Sequence, residues 1–290
     1  MDSILSKIKN NKIDYAHEID RAIKYFPNPE AECDIHIIVS VRGRIWFLMP
    51  LIWSFRAACD GELKISLTIV EHSPIPGYER VCREQGVNYV FLHGKRAFNK
   101  SLCYNIGVIL GGKAKWQVCH DLDCVVQGGF FRKVLDNLRN KNTEAVQSYR
   151  NRSPLYCDSV LTDMIIKQRI SVDAISIDNR HTFYSKGLAP GGSITLSREL
   201  FFRVGGYDPE LFTGYSPEDK FFWDKISVFE NIGMCDDPAV DVLHLEHIRM
   251  QNTNPQLAEM VDLSQRFLSL DNSSKIEILH YKRDLIRQYE

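Results

Sequence analysis

The chain has 290 residues, 44% of them hydrophobic, with 36 basic and 37 acidic side chains and a formal net charge of −1. That supplies one sizeable core and excludes disordered, collagen-like and repeat architectures. The balanced charge excludes a global field that would draw the protein onto nucleic acid, so any charged ligand has to be held locally.

Residues Ile4 to Phe26 mix apolar and charged positions at helical spacing and stop at Pro27-Asn28-Pro29, which predicts a helical N-terminal extension over 1–32. Ile35 to Val41 is a buried strand, followed by Arg42-Gly43-Arg44. The longest apolar run, Ile45 to Phe55, falls short of the roughly 20 residues a membrane-spanning helix needs. It reads as a core helix kinked or restarted at Pro50. Strands are expected at Ile65 to Val70 and Val87 to Leu92 with a helix around Tyr78 to Gln85 between them, then a helix from Phe98 to Leu110 and a strand from Trp116 to Cys119. Strands alternating with helices imply an α/β fold with a mostly parallel sheet, whose ligands sit beyond the strands' carboxyl ends.

Past Asp123 we expect a helix from Gly129 to Asn140, a strand near Glu144 to Tyr149 and an irregular stretch up to Lys186 suited to acceptor-binding loops. A Gly-rich segment, Leu188 to Leu196, opens into a strand and is followed by the short helix Arg198 to Val204. A helix begins at Pro217-Glu218-Asp219, Asp241 to His247 is a last strand, and 254–290 is a helical tail behind a main domain spanning 33–253. The eight cysteines show no Cys-x-x-Cys pair and no zinc-like spacing with histidine, so reduced, mostly buried thiols are expected. With no hydrophobic leader at residue 1, the expected location is cytoplasmic, with the charge-balanced C-terminal helix a candidate for peripheral membrane contact.

Asp121-Leu122-Asp123 closes an apolar strand, where two carboxylates converge as a hard divalent cation requires. His244 and His247 add imidazoles, which suit a borderline metal such as manganese. Glu218 and Asp219 at a helix start are either capping acids or a proton acceptor for an attacking hydroxyl. Arg42 and Arg44 beside a glycine suit phosphate oxygens or a nucleobase, and Phe98-Asn99-Lys100 offers an aromatic face, an amide and a cation at the same sheet edge.

As an ordered set these segments resemble inverting glycosyltransferases of the GT-A fold, close to the β-1,4-galactosyltransferases and bacterial family 2 chondroitin-polymerase-type domains. Ile38-Val39-Ser40-Val41-Arg42-Gly43-Arg44 looks like the family's first strand with its arginine-rich turn. Phe98 through Gly107 is similar to its Phe-Asn-Arg helix, and Asp121-Leu122-Asp123 to its Asp-Val-Asp. Gly191-Gly192-Ser193, Gly205-Gly206-Tyr207 and Gly214-Tyr215-Ser216-Pro217-Glu218-Asp219 follow its Gly-Gly-Val, Asn-Gly-Phe and Gly-Trp-Gly-Gly-Glu-Asp segments in order. Two departures stand out: Tyr215 replaces a tryptophan, and Ser216-Pro217 replaces two glycines.

The resemblance implies a Rossmann-like GT-A domain with helical extensions, a UDP-sugar donor of galactose, N-acetylgalactosamine or glucose type, and a glycan, lipid-linked or polysaccharide-precursor acceptor. It implies Asp123, His247 and His244 as ligands of Mn2+ or Mg2+, with Asp219 as catalytic base. Acceptor contacts would come from Glu218, Tyr215 and Gly192. Donor contacts would come from Val41, Arg42 and Arg44 in the first turn and from Glu71 at the end of the second strand. Phe98, Asn99, Lys100 and Asn105 would add to them from the helix, and Asp121 and Leu122 from the fourth strand. A nucleotidyltransferase, also built on paired aspartates and a divalent metal, and a catalytically silent nucleotide- or sugar-binding module are the competing readings.

Overall fold

The computed structural model describes residues 2–28, 32–59, 61–150, 153–175, 180–184, 190–235, 241–248 and 254–290. Helices α1 (Asp2–Asn10) and α2 (Tyr15–Arg21) come first, the second capped by Asp14, whose carboxylate accepts from the His17 N–H. The expected helix through Phe26 ends early, because Ile23–Tyr25 forms strand β1. Its backbone pairs antiparallel with the edge of the sheet, and that pairing overrides the local helical spacing.

The alternation then runs β2 (Ile35–Val41), α3 (Leu48–Ala58), β3 (Ile65–Ser73), α4 (Glu79–Gln85), β4 (Asn88–His93), α5 (Lys100–Leu110) and β5 (Trp116–Asp121). Pro50 does not kink α3; it lies in the first turn, where a missing N–H costs no hydrogen bond. Next come β6 (Cys124–Val126), α6 (Phe130–Lys141) and β7 (Ala145–Gln147). The stretch expected to be irregular contains β8 (Leu155–Cys157), α7 (Ser159–Lys167) and β9 (Thr182–Tyr184). Asp158 starts that helix by accepting from the Leu161 N–H, and Leu161 and Ile165 bury one face of it. Then follow β10 (Ser193–Ser197), α8 (Arg198–Arg203), α9 (Glu218–Ile226), β11 (Gly233–Met234), β12 (Val242–His244), α10 (Leu257–Ser269) and α11 (Asn272–Ile286). Lys186, the Leu188 start of the Gly-rich segment and the proposed boundary at 253 lie outside the described residues.

The larger sheet has the order β1-β4-β3-β2-β5-β10-β7-β11. Its middle, β4-β3-β2-β5, is parallel, and β10 turns antiparallel beside β5. Both faces are covered, which explains apolar runs without alternation. Ile37 and Val39 face the core under α3 and α6, whereas Ile38 faces α5, α8 and α9. Gly107 lets α5 lie close on the sheet: a Cβ there would come 2.2 Å from Ile38 Cγ2. A smaller sheet, β6-β12-β8-β9, stands beside the carboxyl end of β5.

The terminal helices are part of the packed structure. Ile4 and Ile8 of α1 share a core with Phe221 of α9, Phe267 of α10 and Leu279 of α11. Beneath them Lys225 Nζ lies 2.7 Å from Asp208 Oδ2, and Lys282 Nζ lies 2.6 Å from Glu210 Oε2, all four side chains being buried. None of the eight cysteines is in a disulfide, and six are buried. Among the described residues no helix is long and apolar enough to cross a membrane.

Candidate active site

Asp123 occupies the turn between β5 and β6, one residue before Cys124, which pairs with His244 across β12. That register and the Leu245 N–H donated to the Asp123 carbonyl, at 2.8 Å, bring residues about 120 positions apart onto one carboxylate. His247 Nε2 lies 2.8 Å from Asp123 Oδ2, and His244 Nε2 lies 3.8 Å from Oδ1. One ligand atom from each of Asp123, His244 and His247 lies within 4.8 Å of the others, as a metal site requires.

The imidazoles are oriented by their surroundings. His247 Nδ1 is 2.9 Å from the Ile248 carbonyl, which only accepts, so Nδ1 is the donor there and the ring turns its Nε2 toward Asp123. His244 packs against Tyr156, with ring centroids 4.7 Å apart. Burial opposes ionisation of Asp123, but His244, His247 and Arg44 outweigh it and hold the carboxyl well below the usual range. Arg44 takes part directly: its Nη1 donates to Asp123 Oδ2 at 2.7 Å and lies 3.1 Å from His247 Nε2.

Beside this group is a second one, built on Lys100 in the first turn of α5. Its Nζ lies 2.7 Å from Asp121 Oδ1, 2.8 Å from Asp219 Oδ2 and 3.7 Å from Glu218 Oε1. Burial alone would lower the lysine, yet Asp121, Asp219 and Glu218 together raise it well above its ordinary value, so it stays charged. Glu218 is pushed up to about 7 by burial and by Asp219, with Lys100 and a 2.7 Å hydrogen bond from the Ser216 hydroxyl pulling the other way. Asp219 is also raised by burial, against the pull of Lys100. One fixed ammonium therefore serves three carboxylates, and burial raises two of them, Glu218 and Asp219, toward the range in which a carboxyl can exchange protons.

Asp121 and Asp123 do not converge on one point as their spacing suggested. Asp121 accepts from the Tyr104 hydroxyl at 2.9 Å and faces Lys100, while Asp123 turns to the histidines. Glu71 is buried, with its carboxylate taken up by the backbone N–H groups of Gly77 and Tyr78 and by the Tyr89 hydroxyl. Asn99 caps α5 through the Leu102 N–H and donates to the Pro209 carbonyl. Asn105 is buried between Tyr15 and the Tyr207 backbone. Val41 and Leu122 are buried, Phe98 tilts against His72, and Arg42 donates to the Arg96 carbonyl. Gly192, at φ 100°, accepts from the Asp121 N–H, and Tyr215 is 48% exposed.

Tyr104 and Tyr207 escaped the sequence reading. Tyr207 stacks on Phe222 at 3.9 Å, and its hydroxyl is 3.4 Å from Asp219 Oδ1. Tyr104 stands four residues after Lys100, on the same helix face, a signal that was available.

No family model matches the chain, and no curated protein matches it. Solved structures do. The S. aureus TarS 1-349 structure aligns with a TM-score of 0.55 at 11% identity over 85% of this chain and 69% of that one. The catalytic domain of Drosophila beta1,4galactosyltransferase 7, complexed with xylobiose, aligns at 0.52 with 12% identity, over 80% and 79%. GalNAc-T7 with UDP, GalNAc and Mn2+ aligns at 0.55 with 13% identity, over 86% of this chain and 55% of that one. The fold is that of the GT-A glycosyltransferases.

Proposed function

We propose that the protein is a metal-dependent inverting glycosyltransferase, moving a hexose or N-acetylhexosamine from a UDP-sugar onto a hydroxyl of a glycan or polysaccharide precursor. The observation that supports this most is the pairing of two clusters at the carboxyl end of the parallel strands. Asp123, His244 and His247 come together as a cation site needs, and Lys100 meets Asp121, Glu218 and Asp219 as a proton-handling site needs. The solved GalNAc-T7 structure holds UDP, GalNAc and Mn2+, and a TarS structure holds UDP-GlcNAc, which favours the same donor class here.

One carboxylate with two imidazoles suits Mn2+ better than Mg2+, which prefers an all-oxygen shell. A bound divalent ion would neutralise charge on the departing diphosphate. Asp219 receives the proton of the acceptor hydroxyl as that oxygen bonds to the anomeric carbon. The bond from that carbon to the β-phosphate oxygen breaks, UDP leaves with the electron pair, and a single displacement inverts the configuration. Lys100 holds Asp219 in place, Glu218 and Tyr215 face the acceptor, and Arg42 and Arg44 provide positive charge for the phosphates.

The decisive experiment measures UDP release from a panel of UDP-sugars, each with Mn2+ and with EDTA. Metal-dependent hydrolysis of one donor supports the reading and names the sugar. No release from any donor, together with no UDP binding in Mn2+, rejects it in favour of nucleotidyl transfer or silent binding.

A further inference from the structure

Gly43 and Arg44 both stand in the left-handed backbone region, at φ 67° and 57°. A long side chain such as arginine rarely holds that conformation without support from its surroundings. The turn is pinned from below, since the Tyr78 hydroxyl donates to the Gly43 carbonyl. It delivers the Arg44 guanidinium to Asp123 Oδ2, at 2.7 Å, and to within 3.1 Å of His247 Nε2. These are atoms of two of the three residues that would bind a metal.

We infer that Arg44 is an internal competitor for the cation site, making cation and nucleotide bind as a coupled pair. This rests on the metal reading above. The arriving cation displaces the guanidinium from Asp123 and His247, and the freed guanidinium pairs with the donor's phosphates. Arg44 is half-buried, so the side chain has room to move between the two positions. Cation alone must dislodge a charge-assisted hydrogen bond, and nucleotide alone must draw Arg44 from Asp123. Each ligand therefore favours the other, and the coupling is the same in both directions.

The test is calorimetric titration of Mn2+, without nucleotide, into wild type and Arg44→Asn, asparagine being at home in left-handed backbone. Loss of a charge-assisted hydrogen bond and of a like charge should tighten Mn2+ binding about 10- to 100-fold. UDP binding in saturating Mn2+ should weaken in the same variant. Arg44→Gly is the second variant, and unfolding midpoints confirm that both are folded. Mn2+ binding by the variants equal to or weaker than wild type overturns the competitor role and leaves the metal reading standing. Absence of Mn2+ binding in every protein, with and without UDP, overturns both.

Discussion

Lys100 Nζ and Asp219 Oδ2, 119 positions apart in the chain, meet at 2.8 Å, and the same ammonium holds Asp121 at 2.7 Å. Lys100→Met would leave three buried or half-buried carboxylates facing one another without a counter-charge. Removing one partner of a buried pair costs about 3–5 kcal/mol, readable by urea unfolding. The remaining carboxyls would also hold their protons to higher pH, so the acidic limb of the kcat profile should move upward. A profile unmoved from wild type would show that Lys100 does not tune the base.

Asp219→Asn keeps the shape of the site but cannot accept a proton. Turnover should fall about 10²- to 10⁴-fold, roughly 3–5 kcal/mol of barrier, with Mn2+-dependent UDP binding close to wild type. Near-normal turnover would remove Asp219 as the base.

Gly191 offers a route to the same carboxylate without touching it. A Cβ at position 191 would lie 2.2 Å from Asp219 Oδ2, so Gly191→Ala must push the side chain aside. A displacement of about 1 Å costs up to ~10²-fold in turnover. Steady-state kinetics with a donor-affinity control would read a fall in kcat at unchanged UDP affinity. Unchanged kcat would mean that the site tolerates the shift.

Glu218 makes a stability prediction with a definite sign. Its folded value is raised from 4.5 to about 7, so between those values the folded protein binds more protons than the unfolded chain. Stability from this group is therefore present at low pH and lost as pH rises through about 7. Glu218→Gln should flatten the decline in melting temperature between pH 5 and 8, leaving the variant the more stable protein at pH 8. Parallel curves for the two proteins would contradict the assignment.

Asp123→Ala removes the carboxylate shared by both histidines and Arg44. Calorimetry of UDP with and without Mn2+ should lose its metal dependence in this variant. Retained dependence would place the cation elsewhere.

The parallel strands and α5 were legible because segments covered on both faces are written as continuous apolar runs, such as Ile35 to Val41. β1 was not, since three residues carry too little pattern to reveal an edge pairing set by β4. In the site, the order of motifs pointed to Asp123, His244 and His247, but only the β6-β12 register shows why they meet. Glu71, Asn99 and Asn105 illustrate the limit. A polar side chain at the end of an element looks the same in sequence whether it faces a ligand or an internal backbone group, and nothing in the sequence pairs Glu71 with Gly77, Asn99 with Pro209 or Asn105 with Tyr207.

The buried Lys225, Asp208, Glu210 and Lys282 network has a consequence for biosynthesis. Glu210 and Lys282 are 72 residues apart, and translation proceeds at about 5–20 residues per second, so the carboxylate waits about 4–14 s for its ammonium. During that interval the segment Asp208 to Glu210, whose Pro209 carbonyl holds Asn99 at the start of α5, lacks its anchor from α11. The parallel strands lie earlier in the chain, but the segment that supports the start of α5 is locked only after α11 has emerged from the ribosome.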